Sequence, residues 1–495
     1  MWNKILLFTI ILLLNRNNCL SQIPNISIDQ MQQDIDFLVN TIKEVEPNLS
    51  IRQQVTGTNL YIELDSLAKK AKDIQTFDDF YFLLKRILFL CQDRHDDLQN
   101  FYPSGIEHEN KYIKPKNVEI SNYCYQRYLG MLPCCGGMMT IRYLNGQYYT
   151  IENIYAKQTD ELLIPDSSMI LSINNIPIDR YVALSRPFDN AVRWDGTRKQ
   201  YYTHSIYHPF FILGSMEALI TYEKNNTVKT VEFKDAYVTG FNLIGNESVQ
   251  YFEDKKILYI RIPTMDYDKI DFYKTAILNN KEKPVEKIVL DIRNNGGGND
   301  MLWIELLAII IDKPIMLENK VYYKESPIVV DYVEKIRMEK ITKRLKFNDE
   351  YYFTSSESPT FFITPDENSI NYKGNIYILV NENCYSSSLV LSSICKRVDK
   401  LISVGNSTGY IEGRSTTPFF FSMPNSGLIF ELCATIDMWA KTPYEHYDVN
   451  AEIPVNNTVV DYINEIKYQS TRYSKEFLFN YDPAFKTILD IENNP

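Results

Sequence analysis

Four stretches constrain this chain more than any others: "KKILYIRIP", "KIVLDIR", "GNIYILVN" and "KLISVG". Each is a short apolar run without the in-and-out alternation of a strand that faces water on one side, so each reads as a strand buried on both faces. Helix-like stretches at about 268–280, 299–311 and 386–398 lie between them. Strand and helix in alternation predict, from about residue 248 onward, a sheet covered by helices.

The residues before that block have a different character. Ile28, Met31, Ile35, Leu38, Ile42 and Val45 recur at helical spacing, with Ser27 and Gln30 as a capping box and Pro47 as the stop. A second helix is expected over about Tyr61 to Lys72, and a third begins at Thr76 and ends at "CQDRHDD". Residues 105–240 are rich in strand-forming residues, and "MEALITYEKNNTVKTVEF" reads as a hairpin around Asn225-Asn226. The expected organisation is therefore α/β plus β and multidomain: a signal segment at 1–21, a helical domain at 22–104, a β-domain at 105–240 and an α/β domain at 241–495, with 312–370 as an insertion or lid.

At the N-terminus one Lys precedes an apolar run from Ile5 to Leu14, too short to span a bilayer and suited to export; a retained anchor is the other reading. Asp+Glu exceeds Lys+Arg, 63 to 52, with no basic run, which speaks against nucleic acid as a partner. The eight cysteines contain no CxxC pair, so a zinc-ribbon spacing is absent and at most one disulfide is expected.

Three constellations have chemical potential. "NNGGGND" follows a buried strand in a chain with only 18 glycines among 495 residues. It has neither the GKS/GKT nor the GxGxxG signature of a nucleotide loop, which leaves an oxyanion-binding turn or a plain flexible one. "ENCYSSSLVLSSI" opens a helix at its serines, where a serine is either a nucleophile beside free N–H groups or an N-cap. His95 in "CQDRHDD" is one of five histidines and is either a base, a metal ligand or a solvated helix end.

Taken in order, "KIVLDIRNNGGG", "ILVNENCYSSS" and "ISVGNSTGY" resemble the blocks of the C-terminal processing (tail-specific) serine peptidases. "DFLVNTIKEVEPNL" and "TFDDFYFLLKRILFLCQDRH" resemble the tricorn-core-like and retinoid-binding-protein-repeat-like branch, in which a D-x-H motif supplies the histidine. "DSSMILSINNIPI" resembles a PDZ-type segment. The resemblance implies a PDZ-like β-domain and a crotonase-like (ClpP/crotonase) α/β catalytic domain. It places the nucleophile on Ser386 and the base on His95, with Glu445 orienting the histidine. The oxyanion donors fall on the amides of Gly297 and Ser387, with Gly296 as the shift-by-one alternative. The lysine of the better-known branch has no counterpart, since Tyr410 and Ile411 stand at its position.

Three positions depart from the pattern: Leu389 replaces a glutamate, Asp96 a threonine and Glu452 an aspartate. The implied activity is an exported endopeptidase (periplasmic, cell-surface or secreted) acting on peptides or unfolded protein tails. It needs no metal or organic cofactor, and a homo-oligomer is left open. The alternative is a catalytically inactive homologue that binds peptide or ligand.

Overall fold

The computed structural model describes residues 25–99, 111–113, 120, 123–124, 137–156, 159–207, 218–233, 236–237, 245–318, 321–355, 360–408, 418–437 and 450–491. The signal segment, Gly409 to Thr417 and the stretch that holds Glu445 lie outside them.

The four apolar stretches form the centre of one six-stranded sheet. Its order is Ser248–Phe252, Ile257–Arg261, Lys287–Asp291, Ile376–Val380, Leu401–Gly405 and Ile453–Pro454. Only the first pair is antiparallel. Every residue of Ile257–Arg261, Lys287–Asp291 and Ile376–Val380 is buried, because both sheet faces are covered. One cover packs Trp303, Leu306 and Leu307 of the helix Asp300–Ile310 and Leu391 of the helix Ser387–Cys395. The other packs Phe485 and Ile488 of the helix Pro483–Asp490.

A buried ion cluster fixes the end of the strand Lys287–Asp291. Arg293 donates from Nη2 to Asp291 Oδ2 at 2.6 Å and from Nη1 to Asp482 Oδ2 at 2.6 Å. Burial alone would raise the Asp291 pKa, but Arg293 and Arg261 outweigh it and hold the carboxyl well below its usual range. Arg293→Met is expected to cost about 3–5 kcal/mol of stability, because Asp482 would lose this cation and Asp291 would keep only Arg261. A denaturant midpoint equal to that of the parent protein would contradict this.

The N-terminal helices run Ile28–Val45, Leu49–Thr56, Leu60–Ala68 and Phe77–Phe89, with capping boxes at Ser27/Gln30 and Thr76/Asp79. They do not close a core alone. Tyr323, Val329, Tyr332, Val333 and Phe353, together with Phe419, Phe421, Phe430 and Leu432, join the same cluster. The segment 312–370 thus contributes side chains to the helical core as well as strands at its surface. The β-rich region forms a sheet through Ser205–Tyr207, Gly137–Leu144, Gln147–Thr150, Met169–Ile173, Ala218–Lys224 and Thr227–Phe233. The last two strands are the hairpin, whose Asn225 and Asn226 take φ of 50° and 60°, as a type I′ turn requires.

One short pairing positions the site. Asp97–Gln99, which follows the helix Phe77–Phe89 after a short turn, pairs antiparallel with Ile429–Cys433, aligning Asp97 with Glu431 and Leu98 with Phe430. The Cys433 N–H also donates to Asp96 Oδ1 at 2.7 Å. The end of the helical layer is thereby joined to the strand Ile429–Cys433. Among the described residues no two cysteines are bonded to each other, and no helix is long and apolar enough to cross a membrane.

Candidate active site

Two loops meet at the carboxyl ends of the neighbouring parallel strands Lys287–Asp291 and Ile376–Val380. Polar side chains stitch them together. Asn381 Oδ1 accepts from the Asn294 N–H at 2.8 Å, and Asn381 Nδ2 donates back to Asn294 Oδ1 at 3.0 Å. Asn383 Nδ2 donates to the same oxygen at 2.8 Å. Ser388 Oγ donates to the Asn295 carbonyl at 2.6 Å, and the Tyr385 N–H does so at 3.0 Å. The asparagines of "NNGGG" and "NEN" therefore align the glycine turn with the serine turn.

Ser386 begins the helix Ser387–Cys395, but its side chain does not cap it. Its backbone takes φ 55°, ψ −127°, a conformation that costs a non-glycine residue of order 1–3 kcal/mol. The strain turns Oγ away from the helix and toward His95, whose Nε2 lies 3.3 Å away across 291 positions of sequence. The N-terminal amide of the helix at Ser387 points to no acceptor among the described residues.

His95 sits on a turn built by Asp93. The Asp93 carboxylate accepts from the His95 backbone N–H at 2.9 Å and from Nδ1 at 3.0 Å. Tyr385, the residue before Ser386, donates from its hydroxyl to the same Asp93 oxygen at 2.5 Å and lies 2.9 Å from Nδ1. Nucleophile and base are thus linked twice. Burial pushes the His95 pKa down, but the Asp93 carboxylate outweighs it, and the net shift is upward from 6.5. Burial likewise works against the Asp93 carboxylate, yet His95 and the Tyr385 hydroxyl hold its pKa well below the usual range.

Gly297 lies directly against the serine turn. A Cβ there would lie 2.5 Å from Ser386 Cβ and 2.8 Å from the Tyr385 carbonyl, and its φ is +104°. No side chain fits, which explains the glycine at position 297. The Gly297 N–H donates to Asn295 Oδ1 at 2.8 Å. Gly296 is exposed and a Cβ on it would meet nothing within 4 Å. Gly297→Ala is expected to lower kcat by at least about 10²–10³, the effect of losing an oxyanion donor, through displacement of Ser386. Parent-like turnover of this variant would remove Gly297 from the account.

The remaining positions fall as follows. Leu389, where the family pattern has a glutamate, is buried against Tyr385 and Ala191. Asp96 is turned toward the Cys433 N–H, and burial, then Glu46, raises its pKa. Cys384 donates to the Ile292 carbonyl at 3.1 Å, and burial pushes its thiol up to about 12, which excludes it as a rival nucleophile. Glu445 lies outside the described residues. Sequence reasoning passed over Asp93, Tyr385 and Cys433. Asp93 had a signal in the D-x-H spacing; Tyr385 and Cys433 had none.

Residues 256–439 match the profile of peptidase family S41. The match to this peptidase family is confined to those residues. The S41 domain covers the central strands, the glycine turn, Ser386 and Cys433. The structure of mature CPAF complexed with lactacystin shares the fold, with a TM-score of 0.53 at 14% identity over 94% of this chain and 97% of that one. The photosystem II D1 C-terminal processing protease aligns at a TM-score of 0.38 and 12% identity, covering 86% of this chain and 93% of its own. A putative peptidase from Parabacteroides merdae aligns at 0.35 and 14% identity, over 51% and 67%. Among curated proteins none matches the sequence. The protein is a serine peptidase acting on protein or peptide substrates.

Proposed function

We propose that this chain is an exported endopeptidase that cleaves peptides or unfolded protein tails through an acyl-enzyme on Ser386. The observation that carries the reading is the strained, non-capping Ser386 with Oγ 3.3 Å from His95 Nε2. Nε2 takes the Oγ proton as Oγ attacks the scissile carbonyl carbon, and the C–O bond forms as the carbonyl oxygen becomes an oxyanion. Asp93 and the Tyr385 hydroxyl hold the ring and stabilise the imidazolium. Asp93 holds Nδ1 at 3.0 Å, and Glu445 stays a second candidate for orienting the histidine.

The oxyanion is placed at the N-terminus of the helix Ser387–Cys395, where the Ser387 N–H and the helix dipole both favour negative charge. Gly297 supplies the second amide once Asn295 Oδ1 releases it, and Gly296 is the register alternative. His95 then returns its proton to the leaving amine, and water hydrolyses the ester. The central parallel sheet is read as the crotonase-like core, and the sheet of 137–233 as a PDZ-like module. Export rests on the apolar run after Lys4.

A second reading, peptide binding without turnover, has one observation in its favour: the Gly297 N–H is engaged by Asn295. Incubation with an unstructured polypeptide decides between them. The proposal expects defined new termini by mass spectrometry. Binding without cleavage would support the second reading, and turnover of activated esters alone would overturn both.

A further inference from the structure

The Nδ1 side of His95, away from Ser386, holds a second set of donors. Nδ1 has the Tyr385 hydroxyl at 2.9 Å, Asp93 Oδ1 at 3.0 Å and Cys433 Sγ at 3.7 Å, so an ion bound there takes the place of the hydroxyl contact. One donor atom each from Asp93, His95 and Cys433 lies within 4.8 Å of the other two. A carboxylate oxygen, an imidazole nitrogen and a thiol sulfur suit zinc-class ions rather than magnesium or calcium. With metal–ligand distances of about 2.0–2.3 Å, tetrahedral donors stand roughly 3.3–3.6 Å apart. The Asp93 and Cys433 separations from Nδ1 fall on either side of that value and the third lies within 4.8 Å, so coordination needs the side chains to close onto the ion. Asp93 is fully buried, and its Oδ2 finds no hydrogen-bond partner among the described residues. The carboxylate therefore has coordinating capacity that the hydrogen-bonded arrangement does not use. His95 retains 25% side-chain exposure, while Asp93 and Cys433 are buried.

We propose that Asp93, His95 Nδ1 and Cys433 form a reversible inhibitory site for a zinc-class divalent cation. The proposal rests on His95 being the catalytic base. Its chemistry is a tautomer lock. The neutral imidazole coordinates through Nδ1, and the proton that Nδ1 carried moves to Nε2. Cys433 binds as thiolate and releases its proton to solvent. Nε2–H then faces Ser386 Oγ as a donor, so it has no lone pair to accept the hydroxyl proton, and the nucleophile is not activated. The ion's two positive charges match the carboxylate and the thiolate, so the complex leaves no net charge in a buried place. Nothing is oxidised, and removing the ion restores the starting tautomer.

Binding and inhibition are read separately. Co²⁺, which accepts the same donor set, is titrated into the full-length protein and the thiolate-to-cobalt charge-transfer absorption is followed. Peptide turnover is then measured against Zn²⁺ and after EDTA. The expected result is a saturable band that is lost in Cys433→Ala, and inhibition that EDTA reverses. Cys433→Ala should need at least about tenfold more zinc for half-inhibition, relative to its own metal-free rate. Cys433→Ser serves as the second variant, because its side chain has nearly the same shape. No charge-transfer band in the parent protein, or a band and a zinc sensitivity unchanged in both variants, would overturn the site. A band that depends on Cys433 while turnover proceeds unaffected would leave the ion site standing and overturn His95 as the base.

Discussion

Replacing either Ser386 or His95 with alanine should lower kcat by about six orders of magnitude, and the double variant should be no slower than either alone. The two side chains act as one unit: Oγ is a poor nucleophile until Nε2, 3.3 Å away, takes its proton. The loss should come without unfolding. Ser386 Oγ makes no cap bond, and the turn that carries it is held by backbone and neighbouring side chains, namely Asn295 with Tyr385 and Ser388. Circular dichroism and a thermal midpoint near the parent value should accompany the lost turnover. A Ser386→Ala protein that still cleaves at a rate within a factor of about 100 of the parent would place the nucleophile elsewhere, since the residual rate from binding and oxyanion stabilisation alone is far lower.

The second large effect is expected from Asp93→Asn, at about 10⁴ in kcat, the scale seen when a buried orienting carboxylate is neutralised. Asp93 makes three hydrogen bonds that a neutral amide does not reproduce together: from the His95 backbone, from Nδ1 and from the Tyr385 hydroxyl. The variant also changes the pH profile, in a direction fixed by the charges. The base works only when neutral, so kcat/KM rises with pH through the His95 pKa. Burial lowers that pKa and the Asp93 carboxylate more than offsets it, so the acidic limb of the parent enzyme lies above 6.5. Without the carboxylate the burial effect remains, and the limb of the residual activity moves to lower pH. A limb that stays in place would mean that Asp93 does not set the proton affinity of His95.

The central sheet was legible because its signal is local: uniform apolar runs can be satisfied only between two covering layers. The capping boxes at Ser27 and Thr76 and the Asn225-Asn226 turn were legible for the same reason. The convergence of Ser386 with His95 was not written in any periodicity. It depends on Asp97–Gln99 pairing with Ile429–Cys433, three residues of β-ladder between segments more than 300 positions apart, and on the Asp96 contact to Cys433. Tyr385 illustrates the limit. In sequence it is an aromatic residue between a cysteine and a serine; in space it bonds Asp93 and touches His95, 292 and 290 positions away. The shared core shows the same thing on a larger scale, since Val329 and Tyr332 read as part of a separate Lys- and Glu-rich insertion yet pack with Phe430 and the N-terminal helices.

The central claim is that Ser386 becomes a nucleophile only because His95 accepts its proton. Labelling with a fluorophosphonate, followed by peptide mapping of the adduct, tests it most directly. The account predicts one phosphonylated residue, Ser386, in the parent protein and no adduct in His95→Ala. An adduct on another residue, or labelling of Ser386 that persists undiminished in His95→Ala, would contradict it.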